Sequence, residues 1–175
     1  MSDFPRIIFL DIDGVLLPHS YLISGKNISL YEDFKKNRDL SKIGHQLTFD
    51  PACMSNLRQI IEKTDCSIVM ISTWRYSFNN EELQDILLAK GFEPNWFHSD
   101  PCDRRLTAKK YNDVGLWLGD HSDEDHPDVD TVFDYLIIDD DDVFQSERFK
   151  TIHIMPDYDI GLTKAHVDSV LAIWD

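Results

Sequence analysis

Apolar residues in this chain follow two rhythms. Arg6-Ile7-Ile8-Phe9-Leu10, Ser67-Ile68-Val69-Met70-Ile71 and Asp134-Tyr135-Leu136-Ile137-Ile138 are short, nearly continuous apolar runs rich in β-branched residues. Runs of this kind predict strands buried on both faces of a parallel sheet. Between them the period is helical. Met54, Leu57, Ile60 and Ile61 predict a helix over about 51–64, with Asp50 as N-cap and Pro51 at the first helical position. Leu83, Ile86 and Leu87 predict a second, opened by Asn79 or Asn80 and closed by Gly91. Tyr111, Val114 and Leu118 predict a third over about 107–118. Val167, Val170, Leu171 and Trp174 predict a closing helix capped by Thr163. Short strands are expected at 95–98 and 151–155.

Alternation of strand and helix specifies an α/β sandwich with a mainly parallel sheet. Its 175 residues suit a single domain, 1–175, without an internal repeat. Residues 18–48 are the exception to the rhythm. So long a connection predicts a flap or small cap over a site.

Composition narrows the function classes. Hydrophobic residues make up 42% of the chain, enough for a packed core. Net charge is −15, which disfavours coating of nucleic acid or attachment to anionic membranes. Eleven of the 32 acidic residues fall between Asp120 and Asp142, where no Lys or Arg occurs, so the excess is local. Its first half, Asp120 to Asp130, lacks any period and predicts a solvated loop. Cys53, Cys66 and Cys102 are odd in number and form no CxxC pair, which argues against a disulfide framework or a thiolate zinc site. No apolar stretch approaches membrane-spanning length, and a cytoplasmic location is expected.

The chemistry is expected at the strand ends. Parallel strands bring their carboxyl ends to one edge, where ligands of open α/β sheets bind. That edge gathers Asp11 and Asp13 after the first strand, Ser72 and Thr73 after the second, and Asp139 and Asp140 after the strand at 134–138. Converging carboxylates must take up protons or find a cation, and a few hard oxygen ligands favour Mg²⁺. Mg²⁺ in turn recruits phosphate. Asp11 is then placed as a nucleophile on phosphorus, and Asp13 as the acid that protonates the leaving oxygen and the base that later deprotonates water. The spacing fails as a calcium loop, because counted from Asp11 the glycine, Gly14, falls at position 4 where an EF-hand needs it at 6, Val15 stands where it needs a ligand and Leu22 where it needs Glu. No nucleotide-binding glycine loop occurs. Trp74 reads as packing, and His121 and His126 lie in the acidic segment without a rigid frame for a metal.

These residues carry a resemblance. Asp11-Ile12-Asp13-Gly14-Val15 resembles motif I of the haloacid dehalogenase-like (HAD) superfamily, Ser72 or Thr73 resembles motif II, and Asp139-Asp140 resembles motif IV. Ile71-Ser72-Thr73-Trp74-Arg75, Val114-Gly115-Leu116-Trp117-Leu118 and Gly161-Leu162-Thr163 are similar to a small HAD branch that also occurs as a domain in bacterial RNA-repair proteins. The resemblance implies a Rossmann-like core and phosphoryl transfer through an aspartyl-phosphate. It implies Asp11 as nucleophile and metal ligand, Asp13 as acid/base, Ser72 or Thr73 as phosphate donor, and Asp139 or Asp140 completing a Mg²⁺ site to which Asp13 also belongs. For the basic motif III residue, Arg104, Arg105, Lys109 and Lys110 compete, with Lys109 or Lys110 fitting best, and Arg75 is a further candidate for phosphate. Presence of Asp13 favours phosphate-ester hydrolysis over dehalogenation. The expected substrate is a small phosphorylated metabolite or nucleotide. A nucleic-acid end phosphatase and a catalytically idle metal- or protein-binding module are the alternatives.

Overall fold

The computed structural model describes residues 4–102, 109–121, 133–144 and 152–175. Its strands are β1 (Arg6–Leu10), β2 (Ser67–Met70), β3 (Asp134–Ile138) and β4 (His153–Ile154). All neighbours pair in parallel, in the order β2-β1-β3-β4. Register runs from Ile7 opposite Ser67 to Leu10 opposite Met70 on one side of β1, and from Arg6 opposite Asp134 to Leu10 opposite Ile138 on the other. Six helices are described: α1 (His19–Leu22), α2 (Asn27–Asn37), α3 (Pro51–Thr64), α4 (Asn80–Ala89), α5 (Lys110–Asp120) and α6 (Lys164–Trp174).

Strand side chains alternate between two cores, which explains why the runs read as continuously apolar. Ile8, Leu10, Met70 and Ile138 pack with Leu57 and Ile60 of α3 and Val167 and Val170 of α6. Ile7, Phe9, Val69 and Ile137 pack with Val114, Trp117 and Leu118 of α5. The result is a three-layer, Rossmann-like α/β fold, as the alternation predicts.

Local caps fall where residue types place them. Asp50 Oδ1 accepts from Ala52 N–H at 2.7 Å, and Asn79, rather than Asn80, forms a capping box with Glu82. Three expectations shift. Residues 95–98 do not form a strand: Pro94, which lacks an N–H, starts a 3-10 turn over Pro94–Trp96, and Phe97 alone bridges to Ile68. The strand expected at 151–155 shortens to His153–Ile154. Helix α5 begins at Lys110 and ends at Asp120, so the acidic segment starts as helix, and its residues 122–130 lie outside the described ones.

The insertion at 18–48 is helical, holding α1, α2 and a 3-10 turn at Leu40–Lys42. Buried Asn27 fastens its two ends, donating to Thr48 O at 2.8 Å and accepting from Thr48 N–H at 2.9 Å. From outside the insertion, Lys90 Nζ donates to Leu47 O at 2.6 Å.

One buried ion pair ties the second strand end to α5. Arg75 donates to Ser72 O at 3.0 Å, to Ile71 O at 3.1 Å and to Asp113 Oδ2 at 2.8 Å, with both side chains sealed from water. Removing one partner strands a buried charge. Asp113→Ala is therefore expected to lower unfolding stability by about 3 kcal/mol or more. Asp168→Ala, which removes an exposed pair with Lys164 within α6, should cost under about 1 kcal/mol. Urea unfolding of the two variants decides, and equal losses would refute the clamp.

Candidate active site

Three backbone hydrogen bonds set the sheet edge. Ile71 N–H donates to Leu10 O at 3.0 Å, Asp11 N–H to Ile138 O at 3.0 Å, and Asp139 N–H to Ile154 O at 3.2 Å. Asp11, Ser72 and Asp139 thus leave neighbouring strands at one level, as the parallel topology requires. Carboxylate oxygens of Asp11, Asp139 and Asp140 lie within 4.8 Å of one another. Asp13 stands outside this group.

Lys110, at the first turn of α5, reaches into the cluster. Its Nζ is 2.5 Å from Asp11 Oδ2 and 2.9 Å from Asp139 Oδ2. Burial alone would lower the ammonium pKa, but the charges of Asp11 and Asp139 outweigh it and hold the value above the ordinary lysine range. Lys109 is exposed, with its Nζ 5.5 Å from the centre of the Tyr111 ring, so of the two lysines Lys110 is the one whose ammonium meets the carboxylates. Arg104 and Arg105 lie outside the described residues. Arg75, spent on the buried clamp with Asp113, is a structural residue and not a free phosphate ligand.

Two local features make the approach of Asp140 possible. Gly14 has φ of +70°, a left-handed conformation that side-chain-bearing residues seldom adopt. A Cβ there would also lie 2.2 Å from Asp140 Cγ, so the glycine leaves the space that the carboxylate fills. Burial, and then the charge of Asp11, push Asp140 up to about 6. The same two causes raise Asp139, whose N-terminal neighbour lies in the sheet and whose Oδ1 accepts from Asp141 N–H at 2.9 Å. Asp139 Oδ2 is fully buried and, despite its closeness to Lys110, receives no aligned hydrogen bond. Three carboxylates so close, two of them with raised pKa values and one with a buried oxygen that accepts no aligned hydrogen bond, suit a hard divalent cation such as Mg²⁺.

Asp13 is held separately. The indole N–H of fully buried Trp74 lies 3.2 Å from each of its carboxylate oxygens. Burial and the Asp11 charge push Asp13 up to about 7, against the stabilising Trp74 bond. A carboxyl shifted this far can give or take a proton near neutral pH. Trp74 is a packing residue, as expected, but one whose polar edge orients the second aspartate. Sequence pattern offered no signal for that contact.

Ser72 and Thr73 divide their roles. Ser72 is wholly buried, and its Oγ accepts from Trp74 N–H at 3.4 Å, holding the turn. Thr73 is exposed and lines both clefts that flank the carboxylates. One cleft, of about 340 Å³, runs from Asp13 to α2; the other, of about 420 Å³, holds Lys110, Tyr76 and Tyr111. Tyr158, which no sequence motif singled out, lines the first.

This strand-tip constellation has a counterpart among known families. Residues 7–167 match the family model described as the HAD domain in Swiss Army Knife RNA repair proteins. The chain belongs to this HAD family. No curated protein and no solved structure matched the chain. Membership covers both the sheet and the edge that carries the carboxylates, and it assigns the HAD domain to hydrolase chemistry.

Charge repulsion in the trio makes stability a probe of the candidate metal site. The Asp140 pKa is raised above its unfolded value of 3.8, so the folded state loses stability as pH rises through about 6. Asp140→Asn should therefore melt above wild type without metal at pH values above about 6, with the difference vanishing near pH 4. Mg²⁺ at a hundredfold excess over its dissociation constant should stabilise wild type by about 2.7 kcal/mol. Asp140→Asn and Gly14→Ala should lose most of that increment. Calorimetric melts with Mg²⁺ and with chelator test both statements; an unchanged increment in Gly14→Ala would remove Asp140 from the metal site.

Proposed function

We propose that this HAD domain is a Mg²⁺-dependent phosphatase, hydrolysing phosphate monoesters through an aspartyl-phosphate on Asp11. The observation that supports it best is the joint placement of Asp11 and Lys110 at the strand tip, with an acid of pKa about 7 two residues further on. Asp11, Asp139 and Asp140 would hold the cation, whose charge stabilises the phosphoryl oxygens when bound.

In the first step an Asp11 oxygen forms a bond to phosphorus while the bond to the ester oxygen breaks. The electron pair leaves with that oxygen, which takes the proton of Asp13. Lys110 restrains the nucleophile and offers positive charge to the phosphoryl group, and Thr73 supplies a hydroxyl open to the cleft. In the second step water attacks phosphorus, gives its proton to Asp13, and inorganic phosphate departs with Asp11 restored. Indole-held Asp13 is thus used twice, which an idle metal-binding module would not need.

The substrate we favour is a small phosphorylated metabolite or nucleotide. A second reading, the phosphate at a nucleic-acid end, draws on the description of the matched family as a domain of RNA repair proteins. No helix among the described residues is long and apolar enough to cross a membrane. Three buried cysteines, none of them in a disulfide, accord with the cytoplasmic location we propose.

Phosphate release from an aryl phosphate should require Mg²⁺ and fall by about a thousandfold or more in Asp11→Asn. Trp74→Phe keeps most of the ring volume but loses the indole N–H; it should lower kcat by about tenfold or more while the protein remains folded. A folded, metal-binding protein with no activity on a broad panel of phosphate esters would end the enzyme reading.

A further inference from the structure

The geometry points to the class of alcohol that leaves, an inference that rests on the phosphatase reading. An acid must stand beside the oxygen that it protonates, so the leaving group lies on the Asp13 side of the phosphorus. Of the two flanking clefts formed by the described residues, the one that reaches α2 is lined by Asp13 and the other is not. Its volume of about 340 Å³ falls at the small end of ligand pockets, which span roughly 300–1,000 Å³.

The walls of this cleft select by shape and polarity. Leu17, Ile43 and Leu47, all buried, form an apolar floor that gives nothing to the hydroxyls of a polyol. Tyr31 and Phe34 enter from α2, and Tyr158 from the loop before α6. These rings are braced. Tyr158 stacks on His19 with centroids 5.2 Å apart and planes 18° apart, and His19 meets Tyr31 edge-on at 5.9 Å. With one face on His19, Tyr158 still exposes 49% of its surface, leaving ring area open for a flat guest.

A cation completes the rim. Along this stretch Lys35, Lys36 and Lys42 each pair with an acid three residues earlier, Glu32, Asp33 and Asp39. Arg38, which also lines the cleft, has no acidic residue three or four positions away. Its guanidinium has no ion-pair or hydrogen-bond partner among the described residues. In a chain of net charge −15, an unpaired arginine on the wall of a substrate cleft is suited to an anion.

We infer that the cleft takes an aromatic leaving group bearing a second anionic group, as in a nucleoside bisphosphate: ring against Tyr158 and Phe34, second anion on Arg38. The discriminating measurement is a ratio of kcat/KM values with Mg²⁺. A nucleoside bisphosphate should exceed the matching monophosphate by about tenfold, and the monophosphate should exceed glycerol phosphate by a similar factor. Arg38→Ala should collapse the first ratio, and Phe34→Leu or Tyr158→Leu the second. Equal turnover of all three esters would overturn the inference and leave the phosphatase reading standing. Turnover of none would end the phosphatase reading, and calorimetric titration of the nucleoside bisphosphate into Asp11→Asn then decides the cleft. Binding that weakens in Asp11→Asn combined with Arg38→Ala would support it, and no binding would overturn it. A phosphorylated oligonucleotide that outcompetes the bisphosphate would also overturn it, in favour of a polymer end.

Discussion

Repulsion among carboxylates at one sheet edge is the constraint around which this structure is organised. Parallel pairing forces Asp11 and Asp139 out of adjacent strands at the same level, and the turn after β3 adds Asp140. Against three potential negative charges stands Lys110. One ammonium cannot cancel all three, and the fold holds Asp11 and Asp139 close where burial leaves little water to screen them. Raised carboxylate pKa values are the expression of that strain in a metal-free protein, and a divalent cation is the species that relieves it.

What keeps the groups together is supplied from behind the edge. Arg75 ties the end of β2 to Asp113 of α5, and the same helix carries Lys110 one turn earlier. A buried pair of this kind adds little net stability, but it fixes the angle at which α5 meets the sheet. Trp74, the residue before Arg75, fixes Asp13 in the same way. A short run after β2 therefore positions a helix, a lysine and an acid. Its hydroxyl residues, which motif comparison brings forward first, are only part of its work.

The sheet and its helices were legible because burial on both faces leaves a continuous apolar run, and burial on one face leaves a helical stripe. Tip carboxylates were legible for the same reason: each interrupts an apolar run at its end. Choice between Lys109 and Lys110 was legible in principle. Asp113, Val114, Trp117 and Leu118 form the buried face of α5, and Lys110 lies three and four residues before the first two of them. Taking Tyr111 into the stripe blurred that phase. Trp74 on Asp13, separated by 61 positions, and Tyr158 near the carboxylates are contacts made by folding, without a local pattern to announce them. Residues 95–98 misled because aromatic residues favour strands, while Pro94 removed the donor that a strand start would use.

Net charge deserves a different weight after the site is known. At physiological salt the Debye length is about 8 Å, so acidic groups on distant surfaces are largely screened from a phosphate at the sheet edge. Only charges within that reach decide whether the anion enters. There the proposed cation and Lys110 would turn a negative cluster into an acceptor for one phosphoryl group. A long polyanion meets a different balance, because it extends beyond the screened zone and across the acidic surface. The same chain can therefore admit a compact anion and resist an extended one. Its cation and substrate would also bind with positive coupling, since the cation offsets the carboxylate charge that repels the phosphate and the phosphate in turn attracts the cation.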